Sequence, residues 1–353
     1  MSLPLSCPLP PPEHDRIVLA HGGGGTLTDS LVRSVFLPAF GPSPAAPHDA
    51  APVDLPADIP PHRPLLFTTD SHIVQPLFFP GGDIGALAVN GTLNDLLVSG
   101  ARPLALSASF LLGEGLPIAT LRRVVASMAA AARAAGIRIV AGDTKVLPRN
   151  PADPETLCIA TSGVGTALCD SLPRPEAIRP GDAILLTGDI GRHGTALLAA
   201  RHALGFAAPL ESDCACLAAP LLDLHAAGIP LHCARDATRG GLAGILAELA
   251  AAARVETAID EAAVPVLPPV RAACDLLGLD PWHLANEGCA VLFLPESAVE
   301  PALAVLRRHP VSAAAARIGT CRAAAAPGVV ARTPLGTDRR ILPPAGELLP
   351  RIC

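Results

Sequence analysis

The chain has 353 residues, with 26 Lys and Arg against 32 Asp and Glu for a formal charge of -6, and it is 50% hydrophobic and 16% charged. That length exceeds what one hydrophobic core usually supports, so two domains are expected. The basic residues are scattered rather than clustered, which argues against nucleic acid or an anionic membrane surface as a partner.

Composition also bears on compartment. No apolar run is long enough to span a bilayer, because Arg133 and Arg138 interrupt one Ala-rich stretch and Glu248 another. The ten cysteines are dispersed, mostly within apolar runs, and the N-terminus lacks the basic-then-apolar layout of a signal peptide. A reducing cytoplasm is therefore expected. Cys214-Ala215-Cys216 has no second Cys or His pair at zinc-site spacing and reads as buried packing.

Residues 1–16 are Pro-rich and read as a disordered segment. A first helix is predicted from Thr28 and Asp29, both good N-cap residues, through Leu31, Val32, Val35 and Phe36 to a stop at Pro38. Residues 38–64 read as a loop. A strand at 65–69 ends at Asp70, and a helix at 83–99 delivers Asn94 and Asp95 near its end. A strand at 104–112, a helix at 118–135, and strands at 137–141 and 157–164 complete an α/β domain over 17–170. After a Pro-rich hinge at 171–181 a second α/β domain runs to 335. It has strands near 183–187, 231–235, 289–294, 315–320 and 327–332, and helices near 194–204, 214–227, 239–253 and 296–308. Residues 336–353 read as a mobile tail, with a typical reach of about 20 to 25 Å and a full extension of roughly 55 Å.

The tail ends in Pro350-Arg351-Ile352-Cys353. A thiol at the last position serves no core, and one carried on a chain end can bring a bound group to a distant site. It is not a prenylation signal, which needs the cysteine three positions earlier. His21-Gly22-Gly23-Gly24-Gly25 precedes the first helix. Its side-chain-free N–H groups suit a phosphate, and a turn-forming loop fits the same residues. Four aspartates sit at the edges of apolar elements: Asp70, Asp95, Asp143 and Asp236. Each alone reads as a cap or turn residue, whereas together they are hard oxygen ligands of the kind that hold Mg²⁺ against a nucleotide phosphate chain. Gly240 and Gly241 open a further helix. Lys145 stands two residues beyond Asp143 and would neutralise phosphoryl charge. Glu287 in Ala-Asn-Glu-Gly reads either as a loop carboxylate or, if buried, as a general base. His72 and His193 read as surface or core histidines.

In order along the chain, several segments resemble the family of the hydrogenase maturation factor HypE, a carbamoyl dehydratase. They are residues 21–25, Thr69-Asp70-Ser71, Pro76 to Gly82, Asn94-Asp95, Gly142-Asp143-Thr144-Lys145, Arg235 to Gly241, Ala285-Asn286-Glu287-Gly288 and the terminal Pro350 to Cys353. The glycine loop and aspartates are also shared with aminoimidazole ribonucleotide synthetase, selenophosphate synthetase and thiamine monophosphate kinase. The terminal motif is the more specific one. The departures are an extra Pro-rich N-terminal segment and a fourth glycine in the loop.

The resemblance implies a two-domain aminoimidazole ribonucleotide synthetase-like α/β (α+β) fold with a flexible C-terminal tail. It implies a homodimer whose N-terminal sheets join in a barrel, with ATP and Mg²⁺ as cofactors near that interface. Nucleotide-site residues would be Gly22, Gly23, Gly24, Gly25, Asp70, Asn94, Asp95, Asp143 and Asp236, with Asp70, Asp95 and Asp236 on the metal. Cys353 would receive a carbamoyl group from HypF, and ATP-driven dehydration, with Lys145 and Glu287 as catalytic residues, would make a thiocyanate. Its cyanide would pass to iron held by HypC and HypD. The alternative within the same superfamily is an ATP-dependent synthetase or small-molecule kinase.

Overall fold

The computed structural model describes residues 14–23, 25–41, 50–53, 55–57, 60, 62–150, 155–202 and 210–343. Gly24 and the terminal segment with Cys353 lie outside the described residues. Residues 14–16 are already docked: the Ile118 N–H donates to the Asp15 carbonyl at 2.9 Å, and Ile17 behind them is fully buried.

The first helical segment comprises α1 (Thr26–Leu31), a π-helical turn Val32–Phe36, and α2 (Leu37–Phe40). Pro38 does not end it. A proline is tolerated in the first turn after an irregularity, and the stop comes instead at Gly41, whose φ of 89° and ψ of 160° form a backbone conformation that glycine alone adopts readily.

The N-terminal domain then runs β1 (Leu65–His72), the short pair β2 (Phe78–Phe79) and β3 (Gly82–Asp83), α3 (Ile84–Val98), β4 (Ala101–Gly113), α4 (Ile118–Ala134), β5 (Arg138–Leu147) and β6 (Leu157–Ala167). Its sheet has the order β1-β6-β4-β5, so β1 and β5 are opposite edges. Two sequence boundaries fall short of these strands. Asp70 lies within β1 rather than after it, and Asp143 and Lys145 lie within β5. Polar residues on strands that border a site break the apolar alternation from which the boundaries are read.

Helix α3 starts at Asp83, whose carboxylate accepts the N–H groups of Gly85 at 2.7 Å and Ala86 at 3.0 Å. Nearly all of α3 is buried, between the sheet, α4 and the second domain. A Cβ on Gly85 would stand 2.4 Å from the Val124 carbonyl oxygen, so this glycine permits the close crossing of α3 over α4. Helix α4 is amphipathic in the ordinary way, with Leu121, Val124, Val125, Met128 and Ala132 inward. Among the described residues no helix covers the far face of the sheet at β1, where Phe67 and Leu65 are 71% and 57% exposed.

The second domain contains β7 (Asp182–Leu186), α5 (Arg192–Arg201), α6 (Ala218–Ala226), β8 (Cys233–Asp236), α7 (Gly241–Ala253), β9 (Glu256–Asp260), α8 (Pro268–Leu277), β10 (Ala290–Pro295), α9 (Val299–Leu306), β11 (Ala316–Arg322), β12 (Gly328–Arg332) and β13 (Asp338–Ile341). The sheet order is β13-β12-β9-β11-β7-β10-β8. Three elements are additions to the sequence reading: β9, α8 and β13. Strand β13 pairs antiparallel with β12 through Ile341↔Val329, so the segment past Gly336 begins as sheet and not as tail. One hydrophobic cluster spans both domains, from Leu87 and Leu93 on α3 to Leu217 and Leu221 at α6.

Candidate active site

Between the domains lies a cavity of about 500 Å³ lined by Asp70, Asp95, Asp236 and Glu287, with Arg235 and Arg239 at its wall. Strand β1 delivers Asp70, helix α3 delivers Asp95, and the end of β8 delivers Asp236. The Asp70 carboxylate accepts the Ser71 N–H at 2.8 Å, and the Thr68 hydroxyl donates to Asp95 at 2.9 Å. Thr68 thereby pins the helix carboxylate to the strand that carries Asp70.

Burial makes Asp95 and Asp236 hard to ionise. Asp236 is pushed up to about 7, first by desolvation and then by the charge of Asp95, with Arg235 opposing. Asp95 is raised for the same leading reason, and the Thr68 hydroxyl opposes it. A site in which a buried carboxylate is raised by the charge of its neighbours gains most from a cation placed among them.

Among the described residues no three His, Cys, Asp or Glu side chains converge into a preformed metal cage. Mg²⁺ does not need one, because it keeps waters and takes one or two carboxylates plus phosphate oxygens. The donor chemistry of Asp70, Asp95 and Asp236 fits that open mode and not a closed site.

Glu287 is 5% exposed and precedes β10 in a loop held from several sides. Asn286 is spent on that loop: its Oδ1 accepts the Gly191 N–H at 2.6 Å and its Nδ2 donates to the Ala237 carbonyl at 2.8 Å. The Ala237 N–H in turn donates to the Cys289 carbonyl at 2.8 Å, so the segments carrying Asp236 and Glu287 are laced together. Gly241 has φ of 61°, and a Cβ there would lie 2.5 Å from the Trp282 carbonyl oxygen, which brings the start of α7 against the same region.

The remaining sequence-derived residues fall elsewhere. Asp143 and Lys145 form an exposed pair at 3.1 Å on β5, and with Gly22 they border a second cavity of about 300 Å³. The lysine holds the Asp143 carboxyl below its usual range. Gly22 ends a 3-10 turn, Gly23 caps it, and Gly25 is the N-cap of α1. A Cβ on Gly22 would stand 2.6 Å from the Val146 nitrogen, so this glycine is needed for the loop to lie on β5.

Asn94 reaches neither cavity. Its Nδ2 donates to the Ala215 carbonyl at 3.0 Å and its Oδ1 accepts the Leu217 N–H at 2.8 Å, which commits the amide to protein partners.

Three lining residues stand out only in the structure. His72 is buried, with Nε2 3.5 Å from Asp70 Oδ2, and Gly91 makes room for its ring. Arg174 and Thr68 join the wall from the interdomain hinge and β1. Their only signal in the sequence is proximity to Asp70 and to the Pro-rich hinge.

Comparison with known proteins bears on the two-domain architecture. Residues 47–167 match the model of the AIR synthase related protein N-terminal domain, and residues 179–331 match that of its C-terminal domain. The carbamoyl dehydratase HypE of Rhodobacter capsulatus is 46% identical over 339 residues, covering 96% of this chain and 98% of that one. A crystal structure of the hydrogenase maturation protein HypE in complex with ATP superposes with a TM-score of 0.89 at 45% identity, covering 95% of this chain and 99% of the other. A HypE chain from a HypE-HypF complex gives a TM-score of 0.76 at 41% identity, covering 79% and 90%. Two domains of this architecture, carboxylates gathered at their junction, and near full-length identity at this level place the chain in the HypE family of carbamoyl dehydratases.

Proposed function

We propose that this chain dehydrates a carbamoyl group carried on its own Cys353 to a thiocyanate at the expense of ATP, supplying cyanide for the iron centre of a [NiFe]-hydrogenase. The observation that carries the reading is the interdomain cavity, which Asp70, Asp95, Asp236 and Glu287 line together. A carboxamide oxygen is a poor leaving group. Transfer of the γ-phosphoryl group to it replaces loss of water with loss of phosphate.

Two N–H protons must leave before the C–N triple bond is complete; in this reading Glu287 accepts them one at a time, passing the first to solvent before it takes the second, with Lys145 neutralising charge on the phosphorylated oxygen. Bound Mg²⁺ supplies charge neutralisation and alignment of the triphosphate. Asp70, Asp95 and Asp236 would hold it, while Gly22, Gly23, Gly24 and Gly25 with Asp143 would contact the nucleotide from the β5 side.

The chain would act as a cytoplasmic homodimer. It would take carbamoyl from HypF and pass cyanide to a HypC-HypD pair. Among the described residues no helix is long and apolar enough to cross a membrane.

The test is the intact mass of the C-terminal peptide after incubation with ATP, carbamoyl phosphate and the transferase. Carbamoylation followed by loss of water, confined to the peptide ending in Cys353, is expected. Cys353→Ala should retain ATP binding and yield no thiocyanate, and cyanation surviving in that variant overturns the reading.

A further inference from the structure

Residues 210–217 lead into α6 without regular structure, and they run as a strap between the domains. One edge of the strap is bonded to the N-terminal domain. The Ser212 N–H donates to the Pro80 carbonyl at 2.9 Å, and Asn94 on α3 grips Ala215 and Leu217 with both ends of its amide. Its other edge is bonded to the loop of Glu287. The Asp213 carboxylate accepts the N–H of Glu287 at one oxygen and of Gly288 at the other, each at 3.1 Å, and the Ala215 N–H donates to the Glu287 carbonyl at 3.3 Å.

A buried carboxylate is costly unless its lone pairs are taken up, and bonds to ionised acceptors are the strong ones. Asp213 is 6% exposed, and the two bonds named go to consecutive peptides around one side chain. The fit is close: a Cβ on Gly288 would lie 1.9 Å from the Asp213 carbonyl oxygen. On the other side Asn94 immediately precedes Asp95. The bonded path therefore runs from the helix turn that bears Asp95, through Asn94 and the strap, to both flanking N–H groups and the carbonyl of Glu287.

We propose that Asp213 and Asn94 are positioning residues, which hold the general base Glu287 in register with the nucleotide-site carboxylate Asp95 across the domain boundary. The proposal rests on the assignment of Glu287 as the base. Neither residue meets the reacting atoms. Their effect is on distance, and a displacement of about 1 Å at a reacting group costs on the order of a hundredfold in rate.

The experiment uses the full-length chain carbamoylated on its terminal cysteine. It measures the maximal single-turnover rate of phosphate release, the half-saturating ATP concentration and the melting temperature. Asp213→Asn, which keeps the shape but offers one acceptor for two N–H groups, is expected to slow the maximal rate by about 30-fold or more and to shift half-saturation by less than about threefold. In a Glu287→Gln background the same substitution is expected to leave the residual rate unchanged, because there is no base left to misplace. A general loosening of the fold would lower both backgrounds by the same factor, and that result overturns the proposal.

Asn94→Asp keeps the acceptor for Leu217 and removes the donor to Ala215. It carries the same expectation should Asp213→Asn fail to fold. Wild-type rates in Asp213→Asn beside an inactive Glu287→Gln overturn the positioning alone, whereas wild-type rates in Glu287→Gln overturn the base assignment and the proposal with it.

Discussion

Asp70 and Lys145 stand on opposite edge strands of one four-stranded sheet, β1 and β5, with β6 and β4 between them. Three strand spacings put these strands about 14 Å apart, and their side chains border different cavities. A dimer that set the β5 edge of one copy beside the β1 edge of the other would bring the lysine to the carboxylates. Mixing Lys145→Ala with Glu287→Gln chains, each inactive alone, should then restore about a quarter of wild-type activity, since half of randomly formed dimers are mixed and each holds one intact site of two. Phosphate release after mixing checks this, and no recovery despite demonstrated subunit exchange would mean that both groups act within one chain.

Nucleotide binding should be linked to protons through Asp236. Its carboxyl titrates at about 7, raised chiefly by burial. Coordination of a cation needs the ionised form, so Mg²⁺-ATP should bind more weakly as pH falls from 8 to 6 and should release protons on binding. Asp236→Asn should lower affinity by about tenfold at pH 8 and flatten that dependence. Calorimetry in buffers of different ionisation enthalpy reads both effects.

A second pH effect concerns stability. Asp213 is raised to about 6, again chiefly by burial, while the N–H groups of Glu287 and Gly288 oppose the shift. An acid that is weaker in the folded chain than in the unfolded one makes the folded chain bind more protons between the two values. Its stabilising contribution is therefore complete below about pH 4 and is lost as pH rises through 6. Asp213→Asn should remove this component, so that the melting temperature of the variant falls less between pH 4.5 and 7 than that of the parent. Equal slopes in thermal melts would show that Asp213 does not titrate in this range.

The contact at Gly288 predicts a severe variant. With the Asp213 backbone oxygen 1.9 Å from the place a Cβ would take, Gly288→Ala cannot be absorbed by a side-chain rotation. Either the strap or the Glu287 loop must move, at a cost of about 2 kcal/mol or more. Reduced denaturant midpoints together with a slow dehydration rate are expected, and a variant as stable as the parent would contradict the packing.

Much of this was legible in the residue order. The carboxylates at 70, 95 and 236 announced themselves as single acids at the margins of apolar runs, and all three border the interdomain cavity. Helix α4 and strand β6 followed from their periodicity. What periodicity could not carry was the role of Asn94, whose amide looks like a ligand in the sequence and is used as a cross-domain tie. Asp213 was missed because a buried acid in an irregular strap has no pattern, only partners 74 and 75 residues away. Strand β13 was missed because Asp338-Arg339-Arg340-Ile341 shows no alternation; its pairing with β12 and the hydrogen bonds from Arg339 to Glu261 settle it as sheet.

Strand β13 also sets a ruler. Ile341 is buried and bonded into the outermost strand of the large sheet, so the covalent path onward to Cys353 begins there and not at Gly336. Twelve peptide steps, 342–353, span at most about 40 Å, shorter than the roughly 55 Å that the sequence alone permits. Any station at which the sulfur loads, reacts or unloads must fall within that radius of one fixed point on the sheet edge, which makes the length of the leash itself a determinant of which surfaces the chain can serve.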